Sequence, residues 1–235
     1  MMHSMQNPHT HYGFLIILSA SFLGLWVFYT LMPQLDIRLS GHFFDAAHPE
    51  RFPLMYDPLM RFIQKGVHWV AYVVIAVPAL AIILHHMKLH HWNRFGLSNR
   101  SAAFLLLSLA LGPGLVVHGI FKEGFERPRP VHSDVFGGEY VYVPPMVIGN
   151  DTGKSFVSGH AATGFFFCAF ALLAATRRWQ LALYAAGIGF GIFLGACRIV
   201  QGRHFLSDVL FSGVVTLICV HIAYLICCVQ RHVKH

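Results

Sequence analysis

The sequence predicts an all-α fold: an integral membrane bundle of six helices, with its functional face on the outer, periplasmic side. Three observations predict it. The 235 residues are 56% hydrophobic and only 11% charged, where a soluble domain carries about 25% charged residues. The apolar residues gather in six runs close to the length that crosses a bilayer. All the Asp and Glu lie in one alternating set of loops, and the other set, with the C-terminus, is basic without acids.

Residues 1–12 are polar, with His3, His9 and His11 but no Lys or Arg. They read as a cytoplasmic tail, because a secretory signal needs a basic start and a small-residue cleavage site. Residues 13–235 read as one six-span domain, with 13–32 its first span. Residues 33–66 mix Asp36, Asp45, Glu50 and Asp57 with Arg38, Arg51, Arg61 and Lys65. The Phe43-Phe44 and Phe52-Pro53-Leu54-Met55 patches of that loop suit a short amphipathic helix in the interface. The second span is 67–84, where Pro78 is tolerated because neighbouring helices satisfy the freed backbone.

His85, His86, His90 and His91 follow together with Lys88, Trp92 and Arg94. That company favours a solvated cytoplasmic turn over a metal site. The third span is 102–121, with Gly112-Pro113-Gly114 expected to kink it. The fourth, fifth and sixth spans are 157–176, 180–197 and 208–229. Gly187, Gly189, Gly191 and Gly195 are spaced for close helix packing. Cys168, Cys197, Cys219, Cys227 and Cys228 lie in or against apolar runs without metal-ligand spacing, as core or lipid-facing residues do.

The basic turns 85–100 and 177–179 and the basic C-terminus place both termini in the cytoplasm. A formal net charge of +7 raises the question of nucleic acid, but no basic tract is interleaved with aromatics, so no such partner is expected. The charge suits phosphate and an anionic lipid surface instead.

Three polar clusters then fall on the outer face. The first is Lys122 to Pro130, with Lys122, Arg127 and Arg129. The second is Ser155-Phe156-Val157-Ser158-Gly159-His160. The third, Cys197 to Asp208, holds Arg198, Arg203, His204 and Asp208. A carboxylate four residues from His204 fixes its tautomer and leaves the other ring nitrogen to attack or exchange protons. His160 has no carboxylate in its cluster, which suits a general acid. Ser158 and Gly159 at a helix start offer backbone N–H groups to an anion. Lys122, Arg129, Arg198 and Arg203 add fixed charge for a phosphate dianion. His118, one turn before Lys122, is read as structural, with tuning of that lysine as the other possibility.

Lys122 followed after six residues by Arg129-Pro130, then Ser158-Gly159-His160, then Arg198, His204 and Asp208 at their spacings resemble the three-part signature of the type 2 phosphatidic acid phosphatase (PAP2) superfamily. Two positions depart from its pattern: Val157 stands where Pro is usual and Cys197 where Ser is usual. Cys197 offers a weaker donor than a hydroxyl. The resemblance implies a metal-independent phosphatase with no cofactor, acting on a lipid phosphate in the bacterial inner membrane. It implies that His204 attacks phosphorus to form a phosphohistidine, with Asp208 orienting it. His160 then protonates the leaving group and later activates water, while Lys122, Arg129, Ser158, Gly159 and Arg198 hold the phosphate. Phosphatidic acid, phosphatidylglycerophosphate, undecaprenyl diphosphate and lipid A all fit such a site; the compact chain, the short cytoplasmic turns and the run Phe156 to Ala162 resemble the bacterial inner-membrane members, and among those the expectation leans to lipid A or another envelope glycolipid. The loop after Val131 is expected to shape the headgroup pocket. Phosphotransfer to a second lipid, and a non-catalytic phospholipid carrier, remain open beside hydrolysis.

Overall fold

The computed structural model describes residues 8–87, 98–149 and 153–228. These residues are helical and include no strand; one isolated bridge joins Ser133 and Tyr140. The long helices are α1 (Pro8–Leu31), α3 (Pro58–His86), α4 (Asn99–Leu109) running on into a π-helical stretch (Ala110–Lys122) and a last short turn, α5 (Glu123–Phe125), then α8 (Arg177–Val200) and α9 (Leu206–Cys227). Among the described residues these make five helices long and apolar enough to cross a membrane.

The expected fourth span is shorter. It forms α6 (Gly159–Phe166) and α7 (Cys168–Leu172), separated by a turn at Phe167. The first helix starts earlier than expected, at Pro8, so residues 8–12 are helical; the rest of the expected tail lies outside the described residues. The histidine turn is described only to Met87, and Arg231 and Lys234 also lie outside. The Gly112-Pro113-Gly114 stretch changes the winding of the helix to π rather than simply bending it. A missing N–H at Pro113 already breaks the ordinary hydrogen-bond ladder there.

Helix α9 is the centre of the bundle. Of its most apolar window 67% is buried, against 6% for α1 and 17% for α3. α1 and α4 pack on α9, and α6 packs on both α8 and α9. The outer helices show lipid-type surfaces, with Ile16, Leu23 and Leu31 exposed on α1 and Trp69, Tyr72 and Val73 on α3. Small residues set the α6–α8–α9 spacing: a Cβ on Gly191 would meet the Phe165 ring at 2.4 Å, and one on Gly195 would meet Val209 at 2.3 Å. Gly187 packs as closely on Cys168, but Gly189 faces open space, so the packing stripe has three glycines rather than four. All five cysteines are free, and Cys168, Cys197 and Cys219 are buried.

The segment between α1 and α3 departs from an interfacial loop. Its helix is α2 (Gln34–Gly41), and Asp36 in it is fully buried. Phe52 and Met55 do not lie in the interface. They pack with Phe136 and Phe205 in a core cluster beneath the polar end of the bundle. Gly202, at φ +63°, sits against the Phe52 ring so closely that a Cβ would overlap it at 2.4 Å. That cluster supports the loop carrying Arg203 and His204.

Candidate active site

The three polar clusters meet at one end of the bundle, stitched by main-chain hydrogen bonds. Ser155 N donates to Arg127 O at 3.0 Å, Ser158 N to Asp208 O at 3.1 Å, and Val131 N to Gly202 O at 3.0 Å. The first two bonds link different clusters and the third starts from Val131, the residue just after the first cluster, so the backbone itself sets their spacing.

His204 lies in the loop just before α9, and Asp208 lies in the first turn of that helix. The two do not share a helix face, although they are four residues apart, because His204 precedes the helix. Instead the carboxylate reaches back. Asp208 Oδ2 accepts from Phe205 N at 2.9 Å and from Ser155 Oγ at 2.6 Å, and stands 3.3 Å from His204 Nδ1. One oxygen thus caps the helix start and orients the imidazole. With the proton held on Nδ1, the Nε2 lone pair is left unprotonated. Burial depresses the His204 pKa to about 4 against the opposing pull of the Asp208 hydrogen bond and charge, so the ring is neutral at ordinary pH.

The other Asp208 oxygen is taken by Arg127, whose role sequence reasoning missed. Arg127 Nη1 donates to Asp208 Oδ1 at 2.6 Å and to Ser207 Oγ at 2.8 Å; Nη2 donates to Asp36 Oδ2 at 2.8 Å and to Tyr142 OH at 3.3 Å; Nε donates to Val143 O at 2.7 Å. The side chain is the largest fully buried one among the described residues, and its guanidinium sits 4.4 Å from the Phe205 ring centre. Ser207 in turn donates to Asp36 through both its N–H and its hydroxyl. An arginine between two buried carboxylates satisfies both, where an isolated charge at that depth would be costly.

His160 follows Gly159 at the start of α6, with its Nε2 buried and without a hydrogen-bond partner. The His68 ring stands edge-on to it at 5.3 Å between centroids. Ser158 caps α6, its Oγ accepting from Ala161 N. Its own N–H is committed to the Asp208 carbonyl, so it does not point outward as the sequence suggested. The helix-start donors that remain are those of Gly159 and His160.

Lys122 and His118 flank the same point. A Cβ on Gly159 would stand 2.9 Å from His118 Nε2 and 3.4 Å from Lys122 Nζ. His118 therefore borders the site beside Lys122, rather than serving the packing of the helix alone. Arg198, nearly buried, donates to Gln201 at 2.7 Å and Gln64 at 3.2 Å, and Gln201 donates onward to Met55 O. The Nε atoms of Arg198 and Arg129 are buried without partners. Arg203 leans over the Tyr56 ring at 5.8 Å. Cationic donors, a helix start and two histidines of different surroundings converge on one spot, an arrangement able to bind a phosphate group and exchange protons with it. Among the described residues no group of three or more His, Cys, Asp or Glu side chains is placed to hold a metal ion.

Residues 101–231 match the family model described as the PAP2 superfamily. The chain is 36% identical over 202 residues to a lipid A 4′-phosphatase of Francisella tularensis subsp. novicida, covering 85% of this chain and 89% of that protein. It is 30% identical over 233 residues to a lipid A 4′-phosphatase of Rhizobium etli, covering 91% and 87%. A lipid A 1-phosphatase of Rhizobium johnstonii is 35% identical over 109 residues, 46% of this chain and 40% of that one. No solved structure matches the chain.

Proposed function

The chain belongs to the PAP2 superfamily, and on that premise we infer that it is a membrane phosphatase that removes a phosphate from lipid A through a phosphohistidine. The observation that carries the reading is the His204–Asp208 pair, buried beside Arg198 and Lys122 and facing the start of α6. Its relatives named for lipid A supply the substrate.

In the proposed reaction His204 Nε2 attacks phosphorus and the bond from phosphorus to the lipid oxygen breaks. His160 gives the departing oxygen its proton. Water then attacks the phosphohistidine, losing a proton to His160, and the P–N bond breaks to release phosphate and the free imidazole. Asp208 holds the ring and balances its developing charge. Lys122, Arg129 and Arg198, with the Gly159 and His160 amides, spread positive charge over the phosphoryl oxygens. Ser158 contributes by capping the helix that presents those amides. The fixed cations supply the charge needed, so turnover without added divalent ion is expected.

Gly159–Leu172 is taken as a sixth, shortened crossing, and the polar end of the bundle as its periplasmic face. The basic turns at 85–100 and 177–179 support that orientation in a bacterial inner membrane. The test is phosphate release by detergent-solubilised protein from lipid A, undecaprenyl diphosphate, phosphatidylglycerophosphate and phosphatidic acid, beside His204→Ala. Release that is fastest from lipid A and absent in the variant is the expected result. Phosphate moved to a second lipid without free phosphate would establish transfer instead.

A further inference from the structure

A cavity of about 540 Å³ is bordered by Arg129, and neither His204 nor Asp208 lines it. It is lined by Arg51 and Arg129 with His132, Glu139, Tyr140 and Lys154. A single phosphate needs far less room; the volume suits part of a drug-sized or saccharide ligand.

Its charge is unbalanced. Lys154 is engaged with Glu123 at 2.6 Å, but among the described residues no carboxylate bonds Arg51. The Arg51 guanidinium makes one hydrogen bond, to Phe136 O at 3.4 Å. The backbone holds this arginine in place at a cost. Arg51 has φ +60°, an uncommon conformation for a non-glycine residue that persists where surroundings enforce it. Here its N–H donates to His48 O at 2.9 Å and its O accepts from Asp45 N at 2.8 Å. The facing wall is shaped to match. Gly137, at φ +73°, lies against that guanidinium, and a Cβ on Gly138 would overlap the His132 main chain at 2.1 Å.

We propose that this cavity is a second anion subsite, which binds another phosphate of the same glycolipid headgroup through Arg51 while the scissile phosphate lies at Arg129. The proposal rests on the lipid A reading. The relatives' names place removable phosphates at two positions, 1 and 4′, of one lipid, so a lipid that presents one phosphate to His204 carries the other elsewhere on its headgroup. Arg suits that role because its planar fork binds phosphate bidentately, and Tyr140 and His132 supply ring surfaces for a sugar.

The experiment compares KM for lipid A bearing both phosphates with KM for the form retaining only the phosphate that is cleaved. Wild type is expected to favour the doubly phosphorylated lipid by about tenfold, the value of one charged hydrogen bond. Arg51→Ala should abolish that preference with kcat, and KM for the singly phosphorylated lipid, unchanged. Glu139→Lys, on an exposed residue, covers the case in which Arg51→Ala fails to fold; it should lower KM for the doubly phosphorylated lipid alone. Equal KM values in wild type, or a preference untouched by both variants, would overturn the subsite while leaving lipid A phosphatase activity standing. No release from either lipid would remove the lipid A reading and the subsite together.

Discussion

Arg127 Nη1 lies 2.6 Å from Asp208 Oδ1, and the same guanidinium reaches Asp36 Oδ2 at 2.8 Å. The aspartate that orients His204 is therefore held by an arginine from the end of the third span, which is itself anchored to α2. Neither Arg127 nor Asp36 reaches the phosphate position in the proposed reaction; both act as positioning residues through Asp208.

Removing the arginine should cost more than removing its outer partner. Arg127→Met leaves two buried carboxylates without their cation, a loss of about 3–5 kcal/mol. Asp36→Asn keeps the Arg127–Asp208 pair and a hydrogen-bonding side chain, for a loss of about 1–3 kcal/mol. Thermal unfolding in detergent ranks the two, and a more stable Arg127→Met than Asp36→Asn would contradict the network.

Asp208→Asn preserves shape but not the carboxylate. It is expected to lower kcat by about 10⁴-fold through loss of the His204 tautomer and of charge compensation, with KM little changed. Steady-state kinetics on folded protein checks this, and a variant within tenfold of wild type would leave Asp208 a purely structural helix cap.

The pH profile has a definite sign. In the proposed reaction attack requires neutral His204, whose pKa is depressed to about 4 by burial. Protonation begins as pH falls toward that value, so the His204 limb of kcat/KM should stay flat from neutrality to near pH 5 and drop about tenfold per unit below 4. Activity that falls on acidification with a midpoint at the ordinary imidazole value of about 6.5 would show that His204 is not the shielded group described.

Gly159→Ala probes the phosphate cradle. The new Cβ would stand 2.9 Å from His118 Nε2, so that ring must shift, and 3.4 Å from the flexible end of Lys122 beside it. The fold should survive while kcat/KM falls by about 10–100-fold, because the lysine and the amide cradle lose register. Unaltered kinetics would place Lys122 outside the site.

Phosphate release should also persist in excess chelator, since Lys122, Arg129 and Arg198 carry the positive charge. Activity lost on chelation and restored by a divalent ion would contradict that.

Much of this arrangement was legible in the sequence because it depends on local pattern. Apolar runs marked the helices, and the spacings in the three polar clusters marked residues that the fold brings together. Arg127 was visible only as a neighbour of Arg129, because its partner Asp36 is 91 residues away in a stretch whose mixed charges and aromatic patches read as an interfacial loop. The burial of Phe52 and Met55 was hidden for the same reason: their partners Phe136 and Phe205 belong to other loops. The short α6–α7 pair was obscured because apolar composition continues past Leu172, whereas its helical winding does not. The commitment of the Ser158 amide to Asp208 is a tertiary main-chain bond, and no side-chain pattern encodes it.

The most direct test of the central claim is a single-turnover experiment with lipid A labelled in the cleaved phosphate, quenched in alkali, where a phosphorus–nitrogen bond survives. Transient label on the peptide containing His204, absent from His204→Ala, is the predicted result. Release of labelled phosphate with none bound to protein at any time, and with His204→Ala still turning over, would contradict it.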